Sequence, residues 1–209
     1  MNRFTLPLAA VAASLVLTAA PSAATALPAP ASAPTKARAE QLVRVALTTA
    51  KGRIVLDLDR GRAPITTANF LHYIDSGRFN GIGFYRAMKS GPGGLIQAGI
   101  TDDARKLFPA IRHEPTSLTG LKNVAGAIAM ANGGPGTAHS DFFIMVSDFP
   151  SLDATATDPG FAAFGHVVEG MDVARAILAA PVSPTRGSGA MKGQMLEPVV
   201  KIIKAERVK

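Results

Sequence analysis

Residues 43–58 read VRVALTTAKGRIVLDL and hold two short segments in which strongly apolar side chains recur at every second position. A period of two residues is typical of β-strands. Ala50-Lys51-Gly52 separates the two segments and is suited to a turn, so the sequence predicts an antiparallel hairpin here. The recurring apolar residues are Val43, Val45 and Leu47, then Ile54, Leu56 and Leu58.

The segment after this hairpin has the pattern of an amphipathic helix. Pro64 suits a first helical turn, where its missing N–H costs nothing, and Gly77 suits the helix end. Phe70, Tyr73 and Ile74 fall on one side at helical spacing. We therefore expect a helix over residues 64–76.

Short apolar segments separated by Gly- and Pro-rich connections make up most of the remaining chain. Many short strands without regular strand–helix alternation favour a mainly β fold, a closed or nearly closed antiparallel barrel, because closure removes exposed sheet edges. The apolar segments lie at 83–88, 95–99, 125–131, 141–146, 162–168 and 197–207, and a second helix is expected over 171–178.

The composition limits the chemistry that the chain can perform. Its 209 residues are 47% hydrophobic and 18% charged, enough to bury one core of ordinary size. The absence of Cys excludes disulfide frameworks, thiolate metal sites and cysteine nucleophiles. The net charge is +7, but Lys and Arg are scattered without interleaved aromatic residues, so we expect no nucleic-acid partner.

The N-terminal residues 1–26 combine an early basic residue, an apolar run and a final small-x-small sequence. This pattern predicts a secretory signal peptide that is cut after Ala26, with Ala24 and Ala33 as alternative cleavage sites. The alternative of a membrane anchor is disfavoured, because the apolar run is shorter than the roughly 20 residues that a spanning helix needs. We therefore expect an exported protein, periplasmic or secreted into the medium, with no membrane span after signal removal.

Residues 27–40 are rich in Ala and Pro and have no periodic apolar face, so they are expected to form a flexible linker. The folded domain is expected to cover 41–209, as a monomer.

Several motifs in a fixed order carry a more specific signal. Together they resemble the cyclophilins, which are peptidyl-prolyl cis/trans isomerases, and particularly their exported bacterial members. The likeness runs from about residue 43 to residue 207. The motifs are FYR at 84–86, LIQAG at 95–99, MAN at 130–132, SDFFI at 140–144, LD at 152–153 and FGHVVEGMD at 164–172.

The resemblance implies an eight-stranded antiparallel barrel closed at each end by a helix, with a peptide-binding groove on its outer face. It implies isomerisation of X-Pro bonds in proline-containing peptides and unfolded exported proteins, without a metal or other cofactor. The residues that it assigns to this site are Arg86 as catalytic group, Phe143, Leu95, Leu152 and Phe161 as pocket wall, and Gln97, Ala131 and Asn132 as peptide-holding groups.

The chemistry of such a reaction explains why an arginine is needed. Rotation about an X-Pro bond faces a barrier of roughly 18–20 kcal/mol, because amide resonance must be broken. In the twisted amide the prolyl nitrogen regains a lone pair, so a fixed donor beside it stabilises the transition state more than the ground state. Arg86 would supply that donor at any relevant pH, since a guanidinium stays protonated.

The sequence departs from the family pattern at several positions. Gly94 and Ser151 stand where the family usually has aromatic residues, and each lost aromatic wall should weaken proline binding by about 1–3 kcal/mol. Reduced activity is therefore expected. Asp141 replaces a usual Gln and is expected either to pair with Arg86 or to favour basic peptides. Tyr85 replaces a frequent His and should matter little if it points away from the groove.

The sequence also allows two other functions to be considered. A non-catalytic peptide-binding module or holdase chaperone would keep the barrel with a degenerate groove, as the loss of an aromatic at Ser151 suggests. A hydrolase built on His139, Ser140 and Asp141 is disfavoured, because adjacent residues on a strand or tight loop point in different directions and cannot form a triad.

Overall fold

The computed structural model describes residues 41–209, so the predicted signal peptide (1–26) and linker (27–40) lie outside the described residues. The strands are β1 (Leu42–Thr49), β2 (Gly52–Asp59), β3 (Gly83–Ser90), β4 (Gly93–Gly99), β5 (Ala127–Met130), β6 (Phe142–Met145), β7 (Ala163–Glu169), β8 (Val182–Ser183) and β9 (Met195–Arg207). The helices are α1 (Pro64–Asp75), α2 (Thr116–Thr119) and α3 (Met171–Leu178).

Eight of these strands close into an antiparallel barrel. The hydrogen-bonded order is β1-β2-β7-β5-β6-β4-β3-β9, and β9 pairs back to β1. This confirms the predicted mainly β, closed eight-stranded barrel, and the two expected helices appear as α1 and α3. The two-residue β8 and the four-residue α2 were not predicted, because segments this short leave no periodic signal. In the part of the chain from 41 to 209, no helix is both long and apolar enough to cross a membrane.

The barrel interior is filled by aromatic and branched side chains. Phe70 of α1 packs against Phe79, Phe142 and Phe164 with ring centroids 5.0–5.2 Å apart, and all four side chains are fully buried. Burying a side chain of this size stabilises the fold by about 1.5–3 kcal/mol. The interior is therefore a packed core, and the space for a ligand lies outside it.

A buried carboxylate fixes the beginning of α1. Ala63 offers no side-chain cap, but Glu114 accepts hydrogen bonds from the backbone N–H groups of Ile65 and Thr66 at 3.2 and 2.8 Å. The Thr66 hydroxyl donates to the same carboxylate at 2.7 Å. A negative group at a helix N-terminus also complements the helix dipole. Glu114 therefore caps the N-terminus of α1 from a distant part of the sequence, where a neighbouring residue would usually do so.

Candidate active site

The register of four neighbouring strands places three of the predicted site residues in one row. Arg86 on β3 pairs with Gln97 on β4, Gln97 pairs with Phe143 on β6, and Phe143 pairs with Ala129 on β5. Cross-strand partners point to the same face of a sheet. Because alternate residues such as Ile96 belong to the interior core, this row faces outward.

The outward side chains line a groove with a volume of about 350 Å³. This volume lies within the range of small-molecule sites. All eight residues that the sequence predicted for the site line it. The lining consists of Arg86, Met88, Leu95, Gln97, Ala131, Asn132, Phe143, Leu152, Phe161 and Met191. Met88 and Met191 were not predicted.

The floor and one wall of the groove are apolar and well packed. Phe143 is only 4% exposed and belongs to a second apolar cluster, on the outer face, together with Leu95 and Met145. Phe161 meets Phe143 edge-on, with centroids 5.2 Å apart and an interplanar angle of 77°. Edge-to-face packing of aromatic rings is favourable and holds both rings in place. Leu152 packs against the same cluster.

Asn123 holds the wall formed by Leu152 and Phe161. Its fully buried amide nitrogen donates to the Leu152 carbonyl and the Asp153 carboxylate, each at 2.9 Å, and to the Phe161 carbonyl at 3.3 Å. The backbone N–H of Asn123 also donates to Asp153 at 2.9 Å. The role of Asn123 was not predicted from the sequence, because a single Asn in a loop does not indicate which distant residues it will contact.

Arg86 forms the polar end of the groove. Its Nη1 donates to Gln97 Oε1 at 2.9 Å, and its Nε donates to Gln194 Oε1 at 2.8 Å. Desolvation by burial lowers the pKa of this guanidinium, yet an arginine remains protonated at any relevant pH. Within residues 41–209 no ion pair links Arg86 to a carboxylate. The positive charge is therefore not neutralised by a direct partner.

The predicted pairing of Asp141 with Arg86 is wrong. Asp141 instead accepts hydrogen bonds from the Tyr85 hydroxyl at 2.6 Å and from the Ser140 hydroxyl at 3.1 Å. A register shift between Phe84 and Arg86 leaves Tyr85 out of the β3–β4 pairing, which frees its side chain to reach Asp141. Burial raises the pKa of both Asp141 and Tyr85. Tyr85 does not line the groove.

Gly94 does not line the groove, so the expected effect of its missing aromatic on proline binding stays a prediction. A Cβ at this position would collide with the Met88 carbonyl oxygen and lie 3.0 Å from Leu178 of α3. Position 94 therefore faces α3, and its φ of +148° also favours glycine. Ser151 is exposed and is not among the groove-lining residues, so its expected effect on proline binding stays a prediction.

The three adjacent residues considered for a hydrolase do not form a triad. His139 Nδ1 contacts the Phe108 carbonyl oxygen at 2.9 Å. The Ser140 hydroxyl is buried and bound between the Ile100 N–H and Asp141. No imidazole is thus available to activate the serine, as a triad requires.

Comparison with known proteins is consistent with this geometry. Residues 44–207 match the family described as cyclophilin type peptidyl-prolyl cis-trans isomerase/CLD. Peptidyl-prolyl cis-trans isomerase A of Dickeya dadantii is 40% identical over 134 residues, which are 62% of this chain and 68% of that protein. The peptidyl-prolyl cis-trans isomerase cyp18 of Streptomyces antibioticus is 37% identical over 148 residues, 68% of this chain and 87% of that protein.

Solved structures share the fold. A cyclophilin type peptidyl-prolyl cis-trans isomerase of Cryptosporidium parvum superposes with a TM-score of 0.65 at 22% identity, covering 80% of this chain and 98% of that one. A second structure, of the same protein in the presence of the dipeptide Ala-Pro, gives a TM-score of 0.63 at 22% identity, covering 79% and 99%.

Proposed function

Because the chain belongs to the family of cyclophilin-type peptidyl-prolyl cis-trans isomerases, we propose that Arg86 stabilises the twisted X-Pro amide while the apolar part of the groove holds the proline ring. The observation that carries this proposal is the convergence of Arg86, Gln97 and Phe143 on one cavity.

The proline ring is proposed to sit on Phe143, between Leu95 and the wall of Leu152 and Phe161. A saturated five-membered ring gains from leaving water in such a recess. Fixing the ring fixes one side of the amide bond, so that the bond turns by movement of the residue before proline.

Polar groups beside this pocket are proposed to hold the flanking peptide backbone. The Ala131 N–H is already bound to the Asp141 carbonyl at 2.8 Å, so this residue has its carbonyl oxygen left to offer. The Asn132 amide nitrogen is buried and has no hydrogen-bond partner among the described residues. A buried polar atom without a partner costs free energy, which a bound peptide carbonyl would relieve.

As the amide twists, the lone pair on the prolyl nitrogen is proposed to accept a hydrogen bond from the Arg86 guanidinium. Two of its five N–H groups are bound to Gln97 and Gln194, which leaves one N–H on Nη1 and both on Nη2, and the Nη2 pair is proposed to face the substrate. Partial burial strengthens this interaction, because the effective dielectric constant in the groove is below that of water.

Arg86→Ala tests this role in a protease-coupled or NMR exchange assay of an Ala-Pro peptide. We expect kcat/KM to fall by roughly 10²–10³, in line with the loss of one preorganised donor. Arg112→Ala, which removes an exposed guanidinium outside the groove, is the matched control and should retain full activity. A loss of less than threefold in the Arg86 variant would contradict the proposal.

The biological role that we propose is assisting proline-limited folding of exported proteins. Its support is the signal-peptide pattern of residues 1–26. Mass spectrometry of the protein recovered after expression with its native N-terminus tests this step. Export predicts a mature chain that begins after Ala24, Ala26 or Ala33, whereas a full-length chain retained inside the cell would contradict it.

A further inference from the structure

The connection between β8 and β9 brings two residues to the groove that the sequence motifs do not include. Residues 184–194 are rich in glycine, and Gly187, Gly189 and Gly193 have φ values of +93°, +53° and +77°. These left-handed conformations bend the chain back toward β3. Met191 thereby lines the groove, and Gln194 meets the guanidinium of Arg86.

Arg86 is held from two directions by two different glutamines. Gln97 binds Nη1 from the neighbouring strand β4, and Gln194 binds Nε from the β8–β9 connection. A single acceptor would leave the guanidinium plane free to swing about that one hydrogen bond. Two acceptors on different nitrogens fix both the position and the plane of the group, because its geometry is rigid.

Gln194 is itself firmly anchored. Its side-chain amide nitrogen donates to the Ala190 carbonyl at 2.8 Å, and its backbone carbonyl accepts from the Ala87 N–H at 2.9 Å. The same residue thus binds the backbone of Ala87 and the side chain of the preceding Arg86. Few rotamers satisfy these contacts together, so the Oε1 atom offered to Arg86 has a defined place.

We propose that Gln194 is a positioning residue that orients the Arg86 guanidinium so that its Nη2 pair faces the twisted amide. This inference rests on the proposed role of Arg86. Loss of the Gln194 acceptor should lower kcat about tenfold or more, because a misplaced catalytic group costs up to about 10²-fold in rate. KM should change less than twofold, since Gln194 does not line the groove itself.

The test compares Gln194→Leu, which removes the acceptor at similar volume, with Gln194→Glu, which keeps an oxygen acceptor. Lys192→Ala is the matched control, because Lys192 is exposed and lies in the same turn. Two quantities are measured for each protein: kcat and KM on an Ala-Pro peptide, and solvent exchange of the Arg86 Nε–H by ¹⁵N NMR. A bonded N–H exchanges more slowly than a free one, so exchange reports on orientation without any turnover.

We expect slow Nε–H exchange in the wild type, Gln194→Glu and Lys192→Ala, and fast exchange together with a lower kcat in Gln194→Leu. The proposal is overturned if the wild-type Nε–H exchanges fast, if Gln194→Leu keeps it protected, or if kcat stays within twofold when protection is lost. Fast exchange in Gln194→Glu would also overturn it. An inactive wild type with the expected exchange pattern would refute the role of Arg86 and leave the positioning geometry intact.

Discussion

Asn123→Ala is expected to loosen one wall of the groove and to destabilise the fold. The change removes the amide nitrogen that holds Leu152, Phe161 and Asp153 in place. The backbone N–H of Asn123 still reaches Asp153 at 2.9 Å, so the carboxylate keeps one strong partner. The loss is therefore confined to the side-chain contacts.

The magnitude follows from those three contacts. The neutral bond to Leu152 at 2.9 Å contributes about 1 kcal/mol, and the bond to the charged Asp153 at 2.9 Å contributes about 1.5–3 kcal/mol. The bond to Phe161 at 3.3 Å is too long to add much. The amide oxygen of Asn123 has no partner among the described residues, so its removal relieves a small cost. We expect a net loss of about 2–3 kcal/mol in the free energy of unfolding.

The assay has a thermal and a kinetic part. For a domain of this size a loss of 2–3 kcal/mol lowers Tm by roughly 4–12 °C. At a temperature where the variant is fully folded, KM for an Ala-Pro peptide should rise several-fold because the wall has lost its anchor. The control is Asn80→Ala, which removes one bond to the Ala205 N–H and does not line the groove. An Asn123 variant with a lower Tm but the wild-type KM would refute the reasoning about the wall.

Three further predictions follow from other contacts. Phe143→Ala should raise KM at least tenfold while lowering kcat less, because it removes the floor on which the proline ring is proposed to rest. An unchanged KM in steady-state kinetics would contradict this. Glu114→Ala should lower the free energy of unfolding in urea by about 2–4 kcal/mol, because it leaves three hydrogen-bond donors at the start of α1 without an acceptor. A loss below 1 kcal/mol would contradict the role of Glu114 as a long-range cap. Burial raises the pKa of Asp141, so its favourable contribution to the free energy of unfolding is present below its unfolded pKa near 3.8 and is lost as pH rises through the folded pKa. Asp141→Asn should therefore gain stability relative to the wild type as pH rises above about 4. A difference in unfolding free energy between the two proteins that stays constant from pH 3 to pH 7 would contradict this prediction.

The parts of the site that lie on regular strands could be predicted from the sequence. Arg86, Gln97 and Phe143 sit at positions where strand alternation and a known motif order both apply, and cross-strand pairing brings them into one row. The same holds for α1, whose Pro64 and periodic apolar face define it locally.

The rest depends on contacts between residues that are distant in sequence. Gln194 and Arg86 are 108 residues apart in the sequence, and Glu114 and Thr66 are 48 residues apart. No local sequence pattern could therefore predict either contact. The error on Asp141 has a similar cause, because a register irregularity at Tyr85 redirects a side chain that regular pairing would place elsewhere.

The groove lies on the outer wall of a filled barrel, and this has a consequence for how a long polypeptide meets the enzyme. With the proposed binding mode, a proline in the middle of a chain would reach Phe143 from the side, so neither chain terminus would have to be threaded through an opening. The wall behind the pocket is a hydrogen-bonded sheet with a packed core and has little freedom to bend. On the proposed mechanism, the motion during a turnover would therefore be made by the bound segment. A folding protein could then bind to the groove, rotate one bond and dissociate with the rest of its structure unchanged.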